Sequence, residues 1–179
     1  MQLPWLVPVE PSVYAADVKN VSFPVFKECP ICKSAVRLHR NGFYFRYAIV
    51  CGLEYLIQIC RYLCPSCQRT ISLLPLFLFS HFQYDKNSIL ASLRAFFSGK
   101  KPSGHFSRQL ISFWRRRFLK NLLAIISALR ERGWRDALPD GAKEKAIKVA
   151  DRLSLSPSDS TSKVNLENRV LANFMALSF

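Results

Sequence analysis

The chain has 179 residues, 50% of them hydrophobic and 21% charged, which suits one globular domain or two small ones and falls short of most large enzymes. Its formal charge of +14, from 26 Lys and Arg against 12 Asp and Glu, favours a polyanionic partner, nucleic acid or an acidic membrane surface. The longest apolar run, Ile71 to Phe82, contains Pro75 and is shorter than the roughly 18 residues a membrane-spanning helix needs.

The first residues, MQLPWLVPVEPSVY, lack a basic n-region, and their prolines and Glu10 interrupt any apolar core of a signal peptide. The expected setting is therefore the cytoplasm, with no membrane association, where six cysteines serve metal binding or burial rather than disulfides. Residues 1–27 read as a proline-punctuated arm, with a strand or two in YAADVKNVSFPVF.

Residues 28–82 carry all six cysteines and a strand-like pattern. RNGFYFRYAIV and EYLIQICRYL are rich in aromatic and β-branched residues, and the CGLE between them contains Gly52, which can take a positive φ. A β-hairpin is expected, bracketed by CPIC at Cys29–Cys32 and CPSC at Cys64–Cys67. The spacing C-x2-C-x31-C-x2-C lets each tight turn aim two thiolates at one point, and four such ligands make a closed tetrahedral site. Cys29, Cys32, Cys64 and Cys67 are the expected ligands of a structural Zn2+, which replaces core in a small module. His39 is a weaker alternative ligand. Cys51 and Cys60 are expected to be small buried residues in the hairpin.

Residues 83–135 turn helical and basic, with twelve Lys and Arg between Lys86 and Arg135 against Glu131 alone. DKNSILASLRAFF puts Ile89, Leu90, Leu93 and Phe97 on one side of a helix, which SGKKPSGH then breaks. A second helix follows, with Ser107 as candidate N-cap and a core stripe of Leu110, Ile111, Trp114, Phe118, Leu122, Ile125 and Leu129. Arg108, Ser112, Arg115, Arg116 and Lys120 occupy a separate arc. A helix opening with arginine, glutamine and serine suits the major groove, where Arg pairs with guanine and Gln with adenine. The candidate nucleic-acid contacts are Lys100, Lys101, Arg108, Gln109, Ser112, Arg115, Arg116, Arg117 and Lys120, with Arg117 assigned to phosphate. Leu119, Leu123 and Ile126 leave the core stripe and require cover from the C-terminal segment or another chain, so a homodimer is one expectation.

Residues 136–179 hold an expected short helix at AKEKAIKVADRL, a polar SLSPSDSTSK linker and an apolar-periodic VNLENRVLANFMALSF. No Ser/His/Asp set or Gly-rich phosphate loop stands out, and His39, His81 and His105 lack recognisable catalytic neighbours, so no catalytic residue is assigned and no enzyme is expected.

The succession of CPIC, aromatic hairpin, RYLCPSCQRTISLLP and SRQLISFWRRRF resembles the amino-terminal zinc-ribbon and helix-turn-helix portion of insertion-sequence transposases, and the short proteins of bacterial mobile elements that carry this portion without a nuclease. The resemblance spans about Lys27 to Leu129. It implies an α+β chain, a zinc ribbon followed by a helix-turn-helix-like domain, with Ser107 to Phe118 as recognition helix. It also implies duplex DNA as partner, a nucleoid-associated location, and an accessory or regulatory role beside a larger transposase. The other readings are a protein-interaction module docking onto a larger enzyme, and an RNA-binding ribbon whose Phe43, Tyr44, Phe45 and Tyr47 stack bases.

Overall fold

The computed structural model describes residues 1–102, 106–131 and 133–154. It is an α+β protein of two compact units, Met1–Leu78 and Phe79–Phe179. The expected C-terminal linker and apolar tail lie outside the described residues, as does His105.

The first unit is built on a four-stranded sheet in the order β1-β4-β3-β2. Its centre is the hairpin of β2 (His39–Val50) and β3 (Leu53–Leu63), paired antiparallel from Val50↔Leu53 to Phe43↔Cys60, with an irregularity between Arg40 and Phe43. The two-residue turn has positive φ at both Cys51 (52°) and Gly52 (82°). That is the primed turn whose twist matches the twist of flanking strands, so the hairpin closes in one register. Cys51, expected to be buried, is exposed, because the first turn position projects beyond the last strand pair. Cys60 is buried among the core residues of β3.

β4 (Thr70–Pro75) pairs antiparallel with β3, and β1 (Gln2–Trp5) lies parallel to β4, with Gln2 opposite Ser72. Residues 1–27 are thus part of the sheet unit rather than a separate arm. The strand expected in YAADVKN is a correction of the same kind: helix α1 (Pro11–Ala16) and a 3-10 turn (Val18–Asn20) occupy it. Pro11 opens α1 with the φ a first helical turn needs, and Tyr14 is fully buried, donating its hydroxyl to the Gln58 carbonyl at 2.7 Å. Tyr62 does the same to Pro24 at 2.7 Å, so two buried phenols fasten the chain before β2 onto β3. The core beneath joins Val18, Phe23, Leu38, Ile57, Ile59, Ile71 and Leu73.

The second unit is helical. In α2 (Lys86–Phe97), Asp85 caps the start by accepting from the Ser88 amide at 2.9 Å, and Ile89, Leu90, Leu93 and Phe97 are buried as their spacing predicts. The helix stops at Gly99, φ 71°, where the Lys100 amide bonds the Ala95 carbonyl and the Gly99 amide bonds Phe96. This six-to-one and five-to-two pair is a Schellman stop, which needs a left-handed residue. In α3 (Arg108–Glu131), Ser107 is the N-cap, accepting from the Leu110 amide at 3.2 Å. α3 ends in a second Schellman stop, with Trp134 bonded to Leu129 and Gly133 at φ 91°. Trp114, Phe118, Leu122, Ile125 and Leu129 face the core, joined by Ile126. Ile126 was expected outside the stripe; it is covered within the unit, in the cluster that includes Ala146, Val149, Ala150 and Leu153 of α4 (Ala142–Ser154).

α2 ends at Phe97 and α3 begins at Arg108, so ten residues separate them. A helix-turn-helix joins its helices by three or four, and this connection is more than twice as long.

Candidate functional site

Each cysteine hook is built in the same way. In the first, the Cys29 amide bonds the Ser34 carbonyl at 3.0 Å and the Lys33 amide bonds the Cys29 carbonyl at 2.9 Å. In the second, the Cys64 amide bonds Arg69 at 3.1 Å and the Gln68 amide bonds Cys64 at 3.0 Å. Both chains then turn through a left-handed residue, Lys33 (φ 62°) and Gln68 (φ 56°). The second hook is also the loop between β3 and β4, because Leu63 and Thr70 still pair across it. Strand pairing therefore fixes where Cys64 and Cys67 point.

Backbone amides aim at the sulfurs. Ile31 N lies 3.4 Å from Cys29 Sγ, and Cys67 N lies 3.5 Å from Cys64 Sγ. These N–H groups stabilise negative charge on sulfur. Between the hooks, Cys29 Sγ is 3.9 Å from Cys67 Sγ and Cys32 Sγ is 3.8 Å from Cys64 Sγ. All four sulfurs lie within 4.8 Å of one another, a set that can hold one metal ion. His39 is not a member of this group. Cys29 and Cys64 are buried, Cys67 half-buried and Cys32 exposed, so the set lies at the surface with two ligands rooted in the core.

The electrostatics agree with a cation. The Ser34 hydroxyl and amide beside Cys32 draw its pKa down to about 6. At Cys67 a backbone bond from Arg69 lowers it, but burial and the neighbouring thiols Cys64, Cys32 and Cys29 outweigh that and push it up to about 11. Four sulfurs this close cannot all carry charge unaided; a bound dication removes the conflict and lets every thiol deprotonate. The sequence reading missed two residues here. Ser34 accepts from Cys32 Sγ at 3.2 Å, and its hydroxyl is 3.1 Å from that of Ser66, linking the hooks outside the sulfur cluster. One serine falls in or just after each hook, the signal that was available.

The expected nucleic-acid contacts divide by exposure. Lys100 and Lys101 are exposed beyond the α2 stop, and Arg108, Gln109, Arg116 and Lys120 are exposed on α3. Ser112 is half-buried. Arg115 is also half-buried, its guanidinium 5.0 Å from the Phe96 ring. Arg117 is held over two rings, Phe113 at 5.1 Å and Phe82 at 5.6 Å. Those two arginines spend their planar groups on aromatic faces. Of the four hairpin aromatics, Phe45 and Tyr47 are exposed, while Phe43 packs on Phe23 and Tyr44 lies beneath Arg61. Leu119 and Leu123 are 40% and 75% exposed. Among the described residues, no helix is long and apolar enough to cross a membrane.

No protein-family model matches the chain, and neither a curated protein nor a solved structure does.

Proposed function

We propose that the chain is a zinc-pinned, duplex DNA-binding protein of the mobile-element type its sequence resembles, without a nuclease of its own. The metal assignment rests on sulfur spacing. Zinc–thiolate bonds of about 2.3 Å in a tetrahedron set sulfurs about 3.8 Å apart, and the two closest inter-hook pairs are 3.8 and 3.9 Å. Four thiolates leave no open position for water, so the ion is structural: it ties the β3–β4 turn to the segment preceding β2.

The observation that carries the DNA reading is the division of α3 into two arcs. One is core, from Trp114 to Leu129, and the other presents Arg108, Gln109, Arg116 and Lys120 to solvent. Exposed arginine and glutamine at the start of a rigid helix are suited to base edges, and Lys100 and Lys101 to phosphates. With the long connection before α3, the reading rests on this helix face and not on a helix-turn-helix.

The test is selection from a pool of random duplexes by the purified metal-loaded protein at moderate salt. Enrichment of one motif, lost when Arg108 and Gln109 are replaced by alanine, supports the reading. Retention without enrichment sinks specific readout, and no retention sinks DNA binding.

A further inference from the structure

β2 is an edge of the sheet, and its geometry identifies what can pair with it. In a two-residue hairpin the residues flanking the turn exchange both backbone hydrogen bonds, so Val50 is bonded to Leu53. Counting back by twos, Ala48, Arg46 and Tyr44 also direct N–H and C=O toward β3. The alternate residues Ile49, Tyr47, Phe45 and Phe43 direct theirs outward, toward the open edge. The irregularity at Arg40 ends this regular stretch.

Edges in monomeric proteins are blunted by proline, bulges or charge. The opposite edge, β1, contains Pro4. From Phe43 to Val50 there is no proline, and Arg46 is the single charged residue. The outward-bonding residues also carry exposed apolar side chains, Phe45 64% and Tyr47 58% exposed, with Leu56 49% exposed across from Tyr47.

We infer that β2 pairs antiparallel with β2 of a second copy of this chain, joining two four-stranded sheets into one of eight. The charge pattern selects the register. Centring the two-fold axis on Arg46 would set two guanidiniums directly opposite each other, which is unfavourable. Centring it on Tyr47 puts Arg46 opposite Ala48 and Phe45 opposite Ile49, and makes Tyr47 face its own copy through an outward, hydrogen-bonding position. The apolar row of one copy then continues into the other. The inference is independent of the DNA reading, since it uses only the first unit.

The experiment is sedimentation of the nuclease-treated, metal-loaded full chain in high salt, where co-purified nucleic acid contributes nothing. A dimer is expected, and Tyr47→Lys, which changes an exposed side chain and puts like charges on the axis, is expected to weaken it about tenfold or more. In a Cys51→Ser background, Tyr47→Cys is expected to form a disulfide-linked dimer on mild oxidation, because facing Cα atoms in a hydrogen-bonded pair are about 5.5 Å apart. A monomeric wild-type chain overturns the inference. So does a dimer that tolerates Tyr47→Lys and does not cross-link through position 47, which would assign the contact to another surface such as Leu119 and Leu123.

Discussion

Lys33 and Gln68 hold equivalent places, each one residue beyond the second cysteine of its hook, and both are left-handed, at φ 62° and 56°. Neither is glycine, the residue that takes this conformation without steric cost. Gln68 is partly compensated by its side-chain amide, which donates to the Pro65 carbonyl at 2.8 Å. Lys33 is exposed. Lys33→Gly is therefore expected to be more stable than Lys33→Ala by about 1 kcal/mol, the cost of a left-handed Cβ. Denaturant melts of the two metal-loaded variants measure it. Equal midpoints would mean that the hook relaxes around residue 33.

Metal content separates the six cysteines. The wild-type chain is expected to bind one zinc per chain, and Cys64→Ser, at a buried ligand, to lose it and to destabilise the sheet unit. Cys51→Ser, at the exposed hairpin turn, is expected to leave both metal content and stability unchanged. Elemental analysis of the dialysed proteins, with circular dichroism before and after a strong chelator, checks both. Zinc retained by Cys64→Ser would remove that residue from the site.

Alkaline pH is expected to loosen the first unit. Burial, with smaller contributions from Cys60 and Tyr44, pushes the Tyr14 phenol well above its ordinary range, and burial raises Tyr62 as well. Both are acids whose folded pKa exceeds the unfolded value of about 10, so their contribution is complete below pH 10 and declines as pH rises through and above it. Tyr14→Phe is expected to lessen that decline. At neutral pH it costs about 1 kcal/mol or somewhat more, since the Gln58 carbonyl loses its partner. Urea melts across alkaline pH, compared with the wild-type chain, provide the measurement.

The arginines of α3 are expected to divide by environment. Arg116→Ala, at an exposed position, is expected to leave stability within about 0.5 kcal/mol of wild type. It should weaken duplex binding and reduce the salt slope by about 0.9 if Arg116 meets one phosphate. Arg117→Ala removes contacts with Phe82 and Phe113 and is expected to lower the melting temperature instead. Binding titrations over a range of salt, paired with melting curves, distinguish the two. A loss of stability in Arg116→Ala with unchanged binding would reverse the assignment.

What could be read from the sequence was local. The hooks, the hairpin with Gly52 in its turn, the Ser107 cap and the three helices each announce themselves within a few residues, through spacing, period or a capping side chain. What escaped was non-local. Gln2–Trp5 becomes a strand because Thr70–Pro75 offers it an edge, and no pattern of four residues encodes that partner. Tyr14 lies in a helix rather than a strand because burial against β3 and a hydrogen bond to Gln58 outweigh its β preference. Ile126 is covered in a cluster shared with residues from α4, and Arg115 and Arg117 are diverted onto aromatic faces. Helical period places these side chains on an arc without revealing what packs there.

The parallel pairing of β1 with β4 imposes an order of events during synthesis. Gln2 is among the first residues to leave the ribosome, yet its partner Ser72 follows the second cysteine hook. Until β4 has emerged, the first strand has no native edge to occupy, and contacts of such long sequence separation form slowly. The hook that precedes β4 shortens that search once it closes, because fixing Cys64 and Cys67 presets the turn from which β4 extends. The newborn chain therefore waits on its metal before its beginning can find its place.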